Sequence, residues 1–126
     1  MIIDMHSHIL HGVDDGPKTI DESIGLLKQA VEEGITDIIA TSHAYHQQFH
    51  TSVEEIIKQV SSLNSECKKL GIPINIFTGQ EIRINDQTAE HLISGEALAL
   101  ANSKYVLIEL PSQGIPAFTT QIIQQI

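Results

Sequence analysis

"TIDESIGLLKQAVEEGITDIIATSH", residues 19–43, joins a helix to a strand and ends on a histidine. Ile20, Ile24, Leu27, Ala30 and Val31 fall on one helical stripe, with acids in the first turn and Gly34 as a stop. Asp37–Ala40 then reads as a short apolar strand, and His43 follows its carboxyl end. The same unit recurs on either side. Upstream, the strand Ile2–Met5 runs into His6 and His8. Downstream, Thr51 or Ser52 caps a helix whose stripe is Val53, Ile56, Ile57, Val60, Leu63, Cys67 and Leu70, and Lys68, Lys69 and Gly71 close it in agreement with the helix dipole. Ile74–Thr78 and Tyr105–Leu110 read as further strands, Gln87–Leu98 as a less regular helix, and "AFTTQIIQQI" as the start of a fourth.

Strand alternating with helix means β/α units and a mostly parallel sheet. The expected fold class is therefore α/β, with about four units, half of what a TIM-like barrel of ~250 residues needs. Phe118, Ile122, Ile123 and Ile126 form an apolar stripe with no stop signal, so the chain reads as the N-terminal half of a larger barrel, or else as a half-barrel that pairs with itself. No linker or low-complexity stretch divides residues 1–126, which are expected to form a single domain.

Composition narrows the function. The 126 residues are 41% hydrophobic, as in a globular chain, and no run of eighteen apolar residues or signal-peptide pattern is present. The single cysteine, Cys67, falls on an apolar helix stripe and suits a reducing cytoplasm. A net charge of −9 argues against nucleic acid, whose binding rests on Lys and Arg neutralising phosphates.

In a parallel β/α sheet the functional side chains gather at the carboxyl ends of the strands. His6 and His8 follow the first strand, His43 the second and Glu81 the third, while Glu109 ends the fourth. Each unit thus delivers a metal-ligand residue type to the same end of the sheet. His6 and His8, two apart in extended chain, share a face. Asp15 lies in "VDDGP", where Gly16 and Pro17 turn the chain back; Asp14 is read as part of that turn or as a support behind the ligands. His11 is either such a support or solvated. His46 and His50, in "AYHQQFH", read as surface or substrate-rim residues, and His91 as a solvated helix residue.

Six candidate ligands, His6, His8, Asp15, His43, Glu81 and Glu109, exceed the four of a closed structural zinc site, and the mixed histidine and carboxylate set suits Mn²⁺, Fe or Zn²⁺. More than one ion is expected, an arrangement typical of phosphoester hydrolysis. Rival chemistries lack their motifs: no G-x-x-x-x-G-K-[ST] loop, no G-x-G-x-x-G after a strand, no G-x-S-x-G elbow. A cysteine phosphatase would need an arginine where Pro73 stands.

The segments "DMHSHILHGVDDGP", "ATSH", "GQEIRI" and "YVLIELP" together resemble the PHP (polymerase and histidinol phosphatase) superfamily, and within it the manganese-dependent protein-tyrosine phosphatases of Gram-positive capsule and exopolysaccharide loci. The resemblance runs along essentially the whole chain. It implies a distorted seven-stranded barrel with three metal ions: His6 and His8 on one, Glu81 bridging to a second held by Glu109, and Asp15 with His43 on the third. It also implies a metal-dependent phosphoric monoester hydrolase in the cytoplasm, in which a metal-bound hydroxide attacks phosphotyrosine on the tail of a bacterial tyrosine kinase. Arg83 is the one nearby basic candidate for the substrate phosphate. The family's later histidine, aspartate and histidine ligands, and its phosphate-gripping arginines, have no counterparts within these 126 residues. Two alternatives stand beside this reading: a histidinol-phosphatase-like enzyme acting on small phosphomonoesters, and a non-catalytic metal-binding fragment, with homo-oligomers compatible with either.

Overall fold

A computed structural model describes residues 1–112 and 114–126. The chain runs β1 (Ile3–Ser7), α1 (Ile20–Glu32), β2 (Asp37–Ala44), α2 (Val53–Leu70), β3 (Asn75–Arg83), α3 (Thr88–Ser94), a short 3₁₀ turn (Leu100–Asn102), β4 (Leu107–Glu109) and α4 (Thr119–Gln125). All four strands are parallel, and their order in the sheet is their order in the chain. The three crossovers between neighbouring strands carry α1, α2 and α3. Parallel connections of this kind are right-handed as a rule, which brings these helices to one side and curls the sheet as in a half-barrel.

The helices begin and end where local chemistry directs. Thr19 accepts the amide of Glu22 at the start of α1, and Ser52, the second of the two expected caps, accepts that of Glu55 at the start of α2. Gly71 ends α2 in the left-handed region, φ 70°. The inner stripes of α1 and α2 pack on one face of the sheet: Ile24, Leu27, Ile56, Val60, Leu63 and Cys67 meet Ile38, Ala40, Ile74 and Ile76. Ile20, Ile57 and Leu70, expected on those stripes, are exposed instead, because they lie at the margins of the contact.

The alternate residues of the strands point the other way. There Ile3, Met5 and Phe77 are exposed, and with Ile39, Leu100 and Tyr105 they line an apolar groove of about 320 Å³. Gly79 belongs to this face. A Cβ there would stand 2.8 Å from Ile39 Cγ2 and 3.1 Å from Leu100 Cδ2, so only glycine lets the 3₁₀ turn lie against the strands.

Three strands run past their apolar cores. β1 continues through Ser7, so that His6 lies within it rather than after it, β2 through Ala44 and β3 through Arg83. The parallel ladder satisfies their backbone regardless of the polar side chains at 6–7, 41–43 and 80–81. β4 keeps only three of the expected residues, and Tyr105 lies outside it, exposed. The helix expected over Gln87–Leu98 stops at Ser94, where Gly95 adopts φ 85°.

Candidate metal centre

The extension of β2 and β3 places the site. Their register sets His43 directly beside Glu81, and that between β3 and β4 sets Arg83 beside Glu109. His6 comes from the end of β1 and His8 from the residue just beyond it. All six residues expected as ligands converge on this end of the sheet, in three overlapping groups close enough to share an ion: His6, His8 and Glu81; His8, Asp15 and His43; His43, His46 and Glu109.

Glu81 is the hub. Its Oε1 lies against His6 Nε2 and 3.2 Å from His8 Nε2, and its Oε2 is 3.3 Å from His43 Nδ1. Burial pushes its carboxyl up, but the hydrogen bond from His6, the charge of His43 and the bond from His8 outweigh that and hold it below the ordinary carboxylate range. The His6 and His8 nitrogens stand 3.4 Å apart, so the two rings share a face as their spacing predicts.

Asp14 supports the site from behind. It is buried and accepts three bonds: from the amides of Gly16 (2.9 Å) and His43 (3.1 Å) and from His8 Nδ1 (3.0 Å). Burial alone would raise its carboxyl, but these donors, His8 first, lower it. Reciprocally, the hydrogen bond to Asp14 raises His8 to about 9, against the opposing effect of burial and with help from Glu81. The Nδ1–H of His8 therefore belongs to Asp14, and its Nε2 faces Glu81. This is the carboxylate–imidazole relay that orients metal-binding histidines. Gly16 makes it fit, because a Cβ there would stand 2.6 Å from the carbonyl oxygen of His8. Asp15 is exposed, with Oδ1 3.5 Å from His43 Nε2 and 3.8 Å from His8 Nδ1.

His43 is buried, and its Nδ1 has no hydrogen-bond partner among the described residues although Glu81 and, at 3.7 Å, Glu109 lie nearby. A polar atom buried without a partner costs free energy comparable to a lost hydrogen bond, which an ion in the cluster would recover. Together with the imidazole and carboxylate chemistry of the set, this makes the residues fit a divalent cation. Arg83 reaches the cluster too, but its Nε donates to Glu109 Oε1 at 3.2 Å.

Other residues differ from their sequence reading. His91 is not solvated: it stacks flat on Tyr45, centroids 4.5 Å apart and planes 2° apart, with its Nδ1 buried. His46, read as surface or substrate rim, does lie at the rim of the cluster, half-buried, its ring 4.8 Å from that of His43. Gln80, a neutral residue beyond the expected strand Ile74–Thr78, lies within β3. It is fully buried, donates to Thr51 O at 3.1 Å and accepts the amide of Leu98 at 2.8 Å, so it ties the loops after β2 and α3 to the strand that carries Glu81. Its only sequence signal is its place next to Glu81.

Residues 2–126 match the capsular polysaccharide synthesis family CpsB/CapC. CapC of Staphylococcus aureus is 46% identical over 127 residues, covering 99% of this chain and 49% of that protein. The tyrosine-protein phosphatase YwqE of Bacillus subtilis is 35% identical (96% of this chain, 48% of YwqE), and the tyrosine-protein phosphatase CpsB of Streptococcus agalactiae 36% (89% and 46%). Among solved structures, a chain from the work on YwqE of Bacillus subtilis and CpsB of Streptococcus pneumoniae, described as unique metal-dependent tyrosine phosphatases, superposes with a TM-score of 0.91 at 35% identity. It is matched over 96% of this chain and 49% of its own. The chain spans about half the length of the curated relatives it matches.

Proposed function

The chain belongs to the CpsB/CapC family of capsular polysaccharide synthesis, and on that premise we propose that it carries the first half of the active site of a metal-dependent protein-tyrosine phosphatase. The observation that supports this most is the convergence of four separate strand ends on one cluster of imidazoles and carboxylates. His6, His8 and Glu81 would hold one ion, Glu81 and Glu109 a second, and Asp15 with His43 a third. Mn²⁺ is the cation we assign, with Fe and Zn²⁺ as competitors for the same donors. When bound, the ions supply Lewis-acid stabilisation of phosphoryl charge and ready ionisation of water.

The chain's own residues prepare that chemistry. Asp14 keeps the proton of His8 on Nδ1 and so aims the Nε2 lone pair at the Glu81 side. Gln80 fixes the strand on which Glu81 rides. The four carboxylates of Asp14, Asp15, Glu81 and Glu109 concentrate negative charge that favours a cation over a bare cluster. The substrate we propose is the phosphotyrosine-bearing tail of a tyrosine kinase, in the cytoplasm; a phenolate leaves at a pKa of ~10 and needs less protonation than an alkoxide. Among the described residues no helix is long and apolar enough to cross a membrane.

The test is hydrolysis of a phosphotyrosine peptide by this chain with and without Mn²⁺, alongside the His6→Ala/His8→Ala double variant. Metal-dependent turnover that disappears in the variant is the expected result. A folded chain that turns over histidinol phosphate but no phosphotyrosine would redirect the proposal to small phosphomonoesters. One that binds Mn²⁺ and hydrolyses neither would refute it for these 126 residues on their own.

A further inference from the structure

The segment leaving β2 makes an unusual turn. Tyr45 has φ 60°, a region that large L-residues rarely enter. Three contacts hold it there: its amide donates to His50 Nδ1 at 3.1 Å, its hydroxyl to Glu96 O at 3.3 Å, and its ring lies flat on His91. The chain is thereby turned back so that His46 and Phe49 lie beside His43, their ring centroids 4.8 and 5.9 Å from its own. His46 then donates its amide to Phe49 O at 3.1 Å, closing the loop.

One bond decides what His46 can offer. The backbone amide of Gln48 donates to His46 Nδ1 at 3.1 Å. An amide can only donate, so Nδ1 must present its lone pair, and in the neutral ring the proton sits on Nε2. Binding a cation through Nδ1 would forfeit the Gln48 bond, and binding one through Nε2 would require the other tautomer. Donating Nε2–H to an anion disturbs neither. Such donors are few around the cluster: the one arginine, Arg83, already directs its Nε to Glu109, and Asp15, Glu81 and Glu109 are carboxylates that can only accept.

Resting on the phosphatase reading of the site, we propose that His46 is a substrate-binding residue whose Nε2–H donates to a phosphoryl oxygen of the bound phosphomonoester. The loop Tyr45–His50 is accordingly the edge of the site that recognises the phosphate, and the strand-end residues are the edge that recognises the metal.

The experiment is calorimetric titration of the Mn²⁺-loaded chain with phenylphosphonate, for the wild type and for His46→Ala, His46→Gln and His46→Asn. Gln places its amide N–H near the position of Nε2 but gives up the Gln48 bond, whereas Asn keeps an acceptor near Nδ1 and loses the outer donor. The expected pattern is unchanged Mn²⁺ affinity in all three, phosphonate binding about tenfold or more weaker in the Ala and Asn variants, and near-wild-type binding in the Gln variant. The reverse order, Asn normal and Gln impaired, would overturn the proposal in favour of a loop-holding role through Nδ1. Mn²⁺ affinity falling in step with the substitutions would overturn it in favour of a metal ligand. Phosphonate binding indifferent to all three overturns the donor alone and leaves the phosphatase reading standing. A wild-type chain that binds no phosphonate, with or without Mn²⁺ uptake, overturns both.

Discussion

Asp14 determines what His8 can do. Its carboxylate holds the Nδ1 proton and is itself held by two backbone amides, so replacing it by Asn should weaken Mn²⁺ binding about 10–100-fold in a calorimetric titration while leaving the ligand set complete. The same pair makes a pH prediction for the metal-free chain. His8 is raised from 6.5 to about 9, so its contribution is fully present below pH 6.5 and is lost as pH rises through 9. Asp14 is lowered from 3.8, so its contribution is present above that value and is lost as pH falls through the depressed one. With chelator present, the wild type should therefore lose thermal stability between pH 6.5 and 9, by about 3 kcal/mol at most, and Asp14→Asn should largely flatten that decline. An equal decline in both proteins would show that the pair does not carry it.

At the scale of elements, the register of β2 against β3 is what assembles the centre. A slip of either strand by one residue would turn its own ligand to the helix side and part His43 from Glu81. Two residues guard that register from opposite faces. Gly79→Ala would push a methyl group into Ile39 and Leu100, and should cost about 1–3 kcal/mol of stability, read as a drop in Tm of several degrees. Gln80→Ala leaves the amide of Leu98 and the carbonyl of Thr51 without their partner. It should cost about 1–3 kcal/mol and also lower Mn²⁺ affinity, because Glu81 rides on the same strand. Retained Mn²⁺ affinity in a destabilised Gln80→Ala chain would confine Gln80 to a folding role.

For the whole molecule, the decisive feature is a parallel sheet whose α1, α2 and α3 pack on one face, while among the described residues only a short 3₁₀ turn lies against the other. Parallel sheets are ordinarily covered on both faces. Here Met5 and Phe77 stand exposed on the second face, beside an apolar groove. At raised concentration the chain should self-associate, seen as a concentration-dependent mass in size-exclusion chromatography with light scattering. Phe77→Lys should reduce that association while leaving helix content unchanged. A constant monomer mass in the wild type would refute the expectation.

The sequence by itself determined the β/α alternation, the helix caps, the Cys67 stripe and the delivery of His6, His8, His43, Glu81 and Glu109 to one end of a sheet. These are consequences of local periodicity, of turn chemistry and of the fixed direction of parallel strands, all of which act within one or two neighbouring elements. Only the tertiary structure decided that the strands of His43 and Glu81 run on as polar ladders, that Asp14 rather than Asp15 lies beneath His8, that Gln80 ties two loops, and that His46 and His91 are drawn in by Tyr45. Each of those outcomes depends on which backbone amide or ring lies across a gap of many residues, and side-chain pattern along the chain carries no record of that.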